Sequence, residues 1–254
     1  MLKSRLNETS LLLIAALAAG IAIAGPEPSS AQQPKSAHLA SVLAEMDASS
    51  AKFQSAQADL RQEIFTKVPV EDTETRTGQI YFERKNGTTQ MGMKLLPIEA
   101  NPGTPPTQFV EFKDGKLRVL DTGTNQIDQF AASGKNQSVA EALMTLGFGG
   151  TGAGLAKSFT ITDQGTEQMS DGGKSPVSVE KLDLVSKDTS IRNTYSHITI
   201  WVDTARDVSL KQTLYDASTG DPKTMIYTNI RLNQKVDEAP YALQCKGKCT
   251  VVNH

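Results

Sequence analysis

The chain of 254 residues has few cysteines, few histidines and no excess of positive charge. It contains two cysteines and three histidines, and its 26 Lys and Arg residues against 28 Asp and Glu residues leave a formal net charge of −2. Nucleic-acid-binding domains neutralise phosphates with clustered cations, so we expect no nucleic acid partner. Hydrophobic residues make up 38% of the chain, which is enough for one domain with a modest core.

Sequence motifs for catalysis are also missing. His38, His197 and His254 are far apart, and neither Gly-x-Ser-x-Gly nor His-Glu-x-x-His occurs. The adjacent carboxylates Glu71 and Asp72 lie in a predicted loop, where solvation accounts for them. We therefore expect that the protein is not an enzyme and has no catalytic residue, no metal site and no cofactor.

A glycine-rich segment contains Gly147, Gly149 and Gly152 at the spacing of a dinucleotide-binding fingerprint. Such a fingerprint follows a strand inside a βαβ unit, whereas a predicted helix at 138–146 precedes these glycines. We interpret the segment as a mobile glycine loop that acts as a hinge.

The amino terminus has the pattern of an export signal. Lys3 and Arg5 precede an apolar run at 11–24, and small residues at cleavage spacing end at Ala24 and at Ala31. A membrane anchor needs about 20 apolar residues to cross the hydrocarbon, so we favour a cleaved signal over an uncleaved anchor. Cleavage after Ala24 and cleavage after Ala31 both remain open.

The two cysteines agree with export. We expect a signal peptide at 1–31 and a single domain at 32–254, whose tail contains Cys245 and Cys249. In an oxidising compartment the pair favours a disulfide, with free or intermolecular thiols as the alternative. A zinc site is disfavoured because the tail lacks a second pair of ligands.

Segments rich in β-branched and aromatic residues predict strands near the carboxyl end. They lie at 195–203 and at 208–233, and the second stretch is divided by turn residues at 218–221. Connections this short require antiparallel pairing. Because both faces of these strands are partly apolar, we expect a curved sheet with an apolar concave side.

Other segments predict helices and hairpins. Apolar residues at three-to-four spacing favour a helix over 38–65, with a break at Ser49 and Ser50. Asn86-Gly87 and Asp114-Gly115 predict tight hairpin turns. Further short strands are expected at 125–130, 159–162 and 177–184.

The concave sheet face, the short helix and the glycine loop together predict an apolar cavity. Flexible, polarisable methionines suit a cavity that accepts apolar chains of varying shape, although a single methionine more often fills ordinary core. The predicted ligand-binding residues on these elements are Met91, Met93, Leu143, Met144, Leu146, Phe148, Ile198, Ile200 and Met225.

The order of these elements resembles the periplasmic outer-membrane lipoprotein carriers, the LolA-like family. The resemblance extends from the leading helix to Tyr241, and it is most specific at 182–185, 198–203, 210–216 and 224–233. It implies an α+β fold in which a strongly curved antiparallel sheet, an incomplete β-barrel, has helices covering its concave face as a lid.

The resemblance also implies a function and partners. A family member carries lipoproteins from the inner to the outer membrane, with their acyl chains in an apolar cavity. We accordingly expect a periplasmic monomer that binds acylated lipoproteins, an inner-membrane ABC-type release complex and an outer-membrane acceptor. In the family a strand arginine holds the lid shut; Arg84 best matches that position and is included among the predicted ligand-binding residues, and Lys85 is the alternative.

Two other functions stay open. The same fold could serve a periplasmic binder or sensor of another lipid or glycolipid. A secreted hydrolase is the third interpretation, and the lipid extracted from the purified protein distinguishes all three.

Overall fold

Twelve strands of the described residues form one sheet. The computed structural model describes residues 32–98, 103–131 and 146–253. The strands are β1 (Ser55–Thr66), β2 (Asp72–Lys85), β3 (Thr88–Leu95), β4 (Gln108–Lys113), β5 (Lys116–Asp121), β6 (Gln126–Ala131), β7 (Phe159–Met169), β8 (Val177–Ser186), β9 (Tyr195–Asp203), β10 (Val208–Asp216), β11 (Pro222–Leu232) and β12 (Thr250–Asn253). The helices in the same ranges are α1 (Gln32–Ser50), α2 (Gly152–Ser158) and α3 (Thr189–Thr194).

The strand order leaves the sheet open. It is β12-β6-β5-β4-β3-β2-β1-β11-β10-β9-β8-β7, so β12 and β7 are the two edges and do not pair with each other. Neighbouring strands are antiparallel, except that β12 runs parallel to β6. This arrangement confirms the predicted α+β fold with an unclosed, mostly antiparallel sheet. The predicted signal peptide at 1–31, and the helix predicted at 138–146 except for its last residue, lie outside the described residues.

Tight turns set the register of two hairpins as predicted. Asn86 and Gly87 connect β2 to β3 with φ of 52° and 80°, and Asp114 and Gly115 connect β4 to β5 with φ of 53° and 68°. Positive φ at both turn positions gives a turn whose twist matches that of the flanking strands. The strands β9, β10 and β11 form the predicted antiparallel meander.

The helix predicted over 38–65 is wrong beyond Ser50. The chain leaves α1 there and forms β1, which pairs with both β2 and β11. Ala56, Leu60 and Ile64 are four residues apart, and that spacing fits one face of a strand as well as one face of a helix. Ala58 is also buried, which completes the period of two that identifies the strand.

Helix α1 covers the β7–β9 end of the sheet. Val42 and Met46 are 3% and 1% exposed, and they pack in one apolar cluster with Leu182, Ile198 and Ile200. No helix in the described ranges has the length and apolar character needed to cross a bilayer.

The glycine-rich segment, which its composition predicts to be a mobile loop, is closely packed in the structure. Its second half forms α2, which Thr151 caps by accepting a hydrogen bond from the Gly154 amide. A Cβ on Gly149 would overlap the Phe53 ring, and one on Gly152 would overlap the backbone of Leu43. Glycine is therefore required here for contact between α1 and the segment that follows.

A disulfide between Cys245 and Cys249 closes a small loop in the tail. The Asn125 side chain donates to the carbonyls of Lys246 and Lys248, at 3.2 and 3.1 Å. These contacts hold the tail beside β6, where β12 adds its parallel strand.

Candidate functional site

A cavity of about 220 Å³ lies on the concave face of the sheet. Its apolar lining consists of Ile80, Phe82, Met91, Met93, Val110, Leu117, Leu146, Leu214 and Met225. The remaining lining residues are Gln62, Gln212, Tyr195, Tyr227 and Lys223. The lining thus offers a ligand mostly the apolar side chains of aliphatic residues and methionines.

The position of this lining demonstrates the curvature of the sheet. It includes Leu117 of β5 and Tyr195 of β9, and the sheet order from β5 to β9 comprises eight strands, with seven intervals between them. Neighbouring strands are about 4.8 Å apart, so a flat sheet would separate these two strands by about 34 Å. Both residues reach one small cavity because the sheet wraps around it.

Cross-strand pairing explains why these side chains converge. Ile80 pairs with Met93, and Met93 pairs with Val110, which places three inward-facing residues in one row across β2, β3 and β4. Phe82 and Met91 form the next inward row. Alternate residues of a strand share a face, so the predicted methionines Met91 and Met93 both face the cavity.

The opposite wall contains buried polar groups. Gln212 of β10 and Gln62 of β1 flank Met225 of β11 in one row. The Gln212 amide donates to the carbonyl oxygen of Leu146, and its side-chain oxygen accepts from the Tyr227 hydroxyl at 3.2 Å. The first of these bonds fixes Leu146 against the sheet where Leu146 lines the cavity.

The structure distributes the predicted ligand-binding residues among several places. Met91, Met93, Leu146 and Met225 line the cavity. Ile198 and Ile200 do not: they are 1% and 0% exposed beneath α1, because the helix occupies that part of the concave face. Leu143 and Met144 lie outside the described residues.

Phe148 contributes to the wall from behind. Its side chain is fully buried and stacks on Phe82 with ring centroids 4.1 Å apart, while Tyr227 meets it edge-on at 4.9 Å. It does not line the cavity in this structure, but it supports two residues that do. Aromatic contacts of this kind add rigidity to the wall.

Sequence reasoning missed the polar lining residues Gln62, Tyr195, Gln212 and Lys223. For Lys223 a signal was present, because Lys223, Met225 and Tyr227 alternate along one strand and must share a face. Gln62 was missed because the sequence predicts a helix where the structure has β1. Gln212 was missed because its place in the cavity depends on strand pairing, which only the folded sheet reveals.

Arg84 joins the end of α1 to the glycine-rich segment. Its guanidinium donates to the Ser50 carbonyl at 2.9 Å and to the Gly149 carbonyl at 2.6 Å. Ser50 is the last residue of α1, where carbonyls lack partners within the helix and a cation is favourable. Lys85 instead pairs with Glu83 and Glu238, so Arg84 is the residue that contacts the helix.

A buried carboxylate lies beside this contact. Asp207 is 0% exposed, and no described residue hydrogen-bonds to either of its carboxylate oxygens. Burial raises the pKa of Asp207 to about 7; the Arg84 cation opposes the rise, and Asp47 of α1 adds to it. Its backbone carbonyl accepts from the Gly149 amide at 3.2 Å, which places it in the same junction.

The first half of α1 is tied to the sheet by His38. Its Nδ1 lies 2.6 Å from Asp163 of β7, and its Nε2 lies 3.6 Å from Glu180 of β8. The hydrogen bond to Asp163 raises the pKa of His38 above its usual value. The helix thus has polar attachments at both ends and apolar packing between them.

Among the described residues, no three His, Cys, Asp or Glu side chains are grouped closely enough to hold a metal ion. Lys223 is the only charged residue among the described residues that line the cavity. The lining can therefore contact a mostly apolar ligand.

Comparison with known proteins finds similar chains among solved structures. No protein-family model matches the sequence, and no curated protein matches it. The chain is similar to the crystal structure of MucB and to MucB of Pseudomonas aeruginosa in complex with MucA; each has 15% identity and a TM-score of 0.48 over 85% of this chain. It spans 66% and 63% of the length of those two chains.

The chain is also similar to a LolA superfamily protein from Nitrosomonas europaea. The identity is 15% and the TM-score 0.38, over 80% of this chain and 97% of the other.

Proposed function

We propose that the protein is a periplasmic carrier that holds the acyl chains of lipoproteins and shuttles them from the inner to the outer membrane. The observation that carries this proposal is the apolar cavity lined by eight strands and by Leu146. Each CH₂ group removed from water is worth about 0.8 kcal/mol, so an apolar lining can retain a chain that would otherwise aggregate.

The cavity is small for such a cargo. Its 220 Å³ lies below the roughly 300–1,000 Å³ typical of sites for larger ligands. Acyl chains therefore require Leu146, and α1 which packs against it, to move away from the sheet. The few polar contacts of Arg84 and His38 are the attachments that this movement breaks.

A roof formed by α1 and the segment at 146–149 allows cargo to be passed between partners. A partner that binds the open form more tightly than the closed form shifts the population toward release. In this proposal an inner-membrane ABC-type complex loads the carrier, and an outer-membrane acceptor takes the acyl chains from it. The protein needs no catalytic group for either step.

Lipid extraction tests the proposal. The protein is purified from the periplasmic fraction without detergent, and its organic extract is identified by mass spectrometry. A triacylated lipopeptide supports a lipoprotein carrier, whereas another lipid indicates a binder or sensor on the same fold. Ester hydrolysis by the purified protein would indicate an enzyme and contradict the proposal.

A release assay tests the transport step separately. Spheroplasts that retain a labelled lipoprotein are incubated with the purified protein, and soluble complex is measured. We expect release with the wild-type protein and little release with Met225→Gln, which places an amide in the cavity. Equal release by both would show that the cavity does not hold the acyl chains.

A further inference from the structure

Lys223 is the one charged residue among the described residues that line the cavity. On the sheet it lies directly opposite Ile64 of β1 and Leu214 of β10, so its immediate cross-strand neighbours are apolar. It shares the inward face with Met225 and Tyr227 on its own strand. A cation placed between aliphatic side chains loses hydration and is costly unless an anion compensates it.

No described residue supplies that anion at ion-pair distance. Glu74, whose position in β2 pairs with Ile64, is bound to Arg76 at 2.5 Å. Arg76 and Glu74 act on Lys223 from farther away with opposite signs. Lys223 is therefore partly buried and has no ion-pair partner among the described residues.

Burial lowers the pKa of Lys223, and Arg76 acts in the same direction. This direction agrees with the geometry, because a paired lysine would gain stability in its charged form. A ligand that brings a negative charge next to the ammonium group would remove this cost.

A second polar group is available in the same wall. Gln62 is 5% exposed and lines the cavity, and no described residue donates to or accepts from its side chain. It lies two residues from Ile64, the partner of Lys223, on the same face of β1. Its amide can donate to an oxygen that Lys223 also contacts.

We propose that the cavity binds acyl amphiphiles with an anionic head group, whose acid oxygens pair with Lys223 while the chain lies against the methionines. Wholly neutral acyl chains would gain nothing from a cation in this position, so the residue selects for charge. The inference depends on the proposed function in that the cavity must take up an acyl chain. The head group is a carboxylate or a phosphate, and the two sources are separated by the probes below.

The test compares probes of equal chain length on the full soluble chain. Binding of dodecanoate, dodecyl phosphate and dodecanol is measured by calorimetry below their aggregation concentrations. We expect both anions, or one of them, to bind at least tenfold more tightly than dodecanol. A preference for dodecanoate indicates that the anionic head group is a carboxylate, and a preference for dodecyl phosphate indicates that it is a phosphate.

Variants assign the preference to the lysine. Lys223→Met is expected to lose the anion preference while it keeps its affinity for dodecanol, and Lys223→Arg is expected to retain the preference. Lys211→Met is the matched control, because Lys211 lies on the adjacent strand over the Trp201 ring, away from the cavity. Thermal unfolding of each variant checks that it folds.

Different failures have different meanings. If wild-type protein binds dodecanol and the anions equally, the charge selection proposed here is wrong while the apolar carrier stands. The same conclusion follows if Lys223→Met still prefers anions. If no probe binds at all, the proposed acyl-binding function itself fails.

Discussion

Arg84 of β2 and Ser50 at the end of α1 are joined by a hydrogen bond of 2.9 Å from the guanidinium to the main-chain carbonyl. The same guanidinium reaches the Gly149 carbonyl, and the Ser50 hydroxyl donates to that carbonyl at 2.8 Å. One side chain on the sheet thus holds two elements of the roof. Most of the behaviour expected of the roof follows from this contact.

Arg84→Met should loosen the roof. Hydrogen bonds from a charged group contribute about 1.5–3 kcal/mol, so we expect a comparable loss in the free energy of unfolding. Hydrogen exchange at the end of α1 should be faster, and association with an acylated probe should be faster as well. Lys85→Met is the control, since its ion pairs with Glu83 and Glu238 lie at the surface, where solvent screens them and they contribute little to stability. Equal effects of the two substitutions would contradict the role of Arg84.

Asp207→Asn should remove the pH dependence that the buried carboxyl group gives to the free energy of unfolding. The folded-state pKa of Asp207 is raised to about 7, above the value of about 3.9 in an unfolded chain, so its ionisation destabilises the fold as the pH rises from 4 to 7. The substitution should leave stability near pH 4 unchanged and raise it by about 2–4 kcal/mol at pH 8. Denaturant titrations at both pH values measure this.

Asp114→Asn supplies the control for Asp207→Asn. Asp114 also has a positive φ, 53° against 55° for Asp207, but its side chain is exposed in a turn. Asparagine tolerates that backbone conformation, so neither substitution adds strain. A similar pH-dependent gain at both positions would exclude burial as the cause.

His38→Gln should weaken the attachment of α1 to the sheet, and the effect of the substitution should be larger at low pH than at high pH. Because the folded-state pKa of His38 is raised, its stabilising effect is complete below pH 6.5 and is lost as the pH rises through the folded-state value. We expect the substitution to increase hydrogen exchange along the first turns of α1 at pH 6 and to change little at pH 9. An effect that is the same at both values would show that the imidazolium charge is not involved.

Met225→Gln should reduce the affinity for acylated probes by about tenfold, because the chain must strip water from an amide at a cost of about 1–2 kcal/mol. Ile226→Gln is the matched control on the same strand, since Ile226 faces the opposite side of β11. Fluorescent fatty-acyl peptides report the affinity of both. If Ile226→Gln weakens binding as much as Met225→Gln does, the ligand lies outside the cavity.

Local chemistry made much of the sheet predictable. Asn86-Gly87 and Asp114-Gly115 specify their turns because few residues accept positive φ at two successive positions. The period of two around Met225 likewise placed its strand correctly. Such features depend on neighbours in sequence.

Features that depend on distant neighbours were not predictable. Ala56, Leu60 and Ile64 satisfy a helix and a strand equally, and only pairing with β2 and β11 decides between them. Ile198 and Ile200 lie away from the cavity lining for a related reason: α1 covers their part of the apolar face. The parallel pairing of β12 with β6 joins residues more than 120 positions apart, which no local pattern reveals.

The wrapping of eight strands around one small space ties occupancy to the integrity of those strands. A chain bound as proposed would touch β1 through β5 and β9 through β11 together, so none of these eight strands could unfold locally without releasing it. Cargo should consequently protect the polypeptide against proteases far from the ligand, in proportion to its concentration over its dissociation constant. Under the proposed function the loaded protein would be the longer-lived form, and its turnover in the cell would depend on how soon it is emptied.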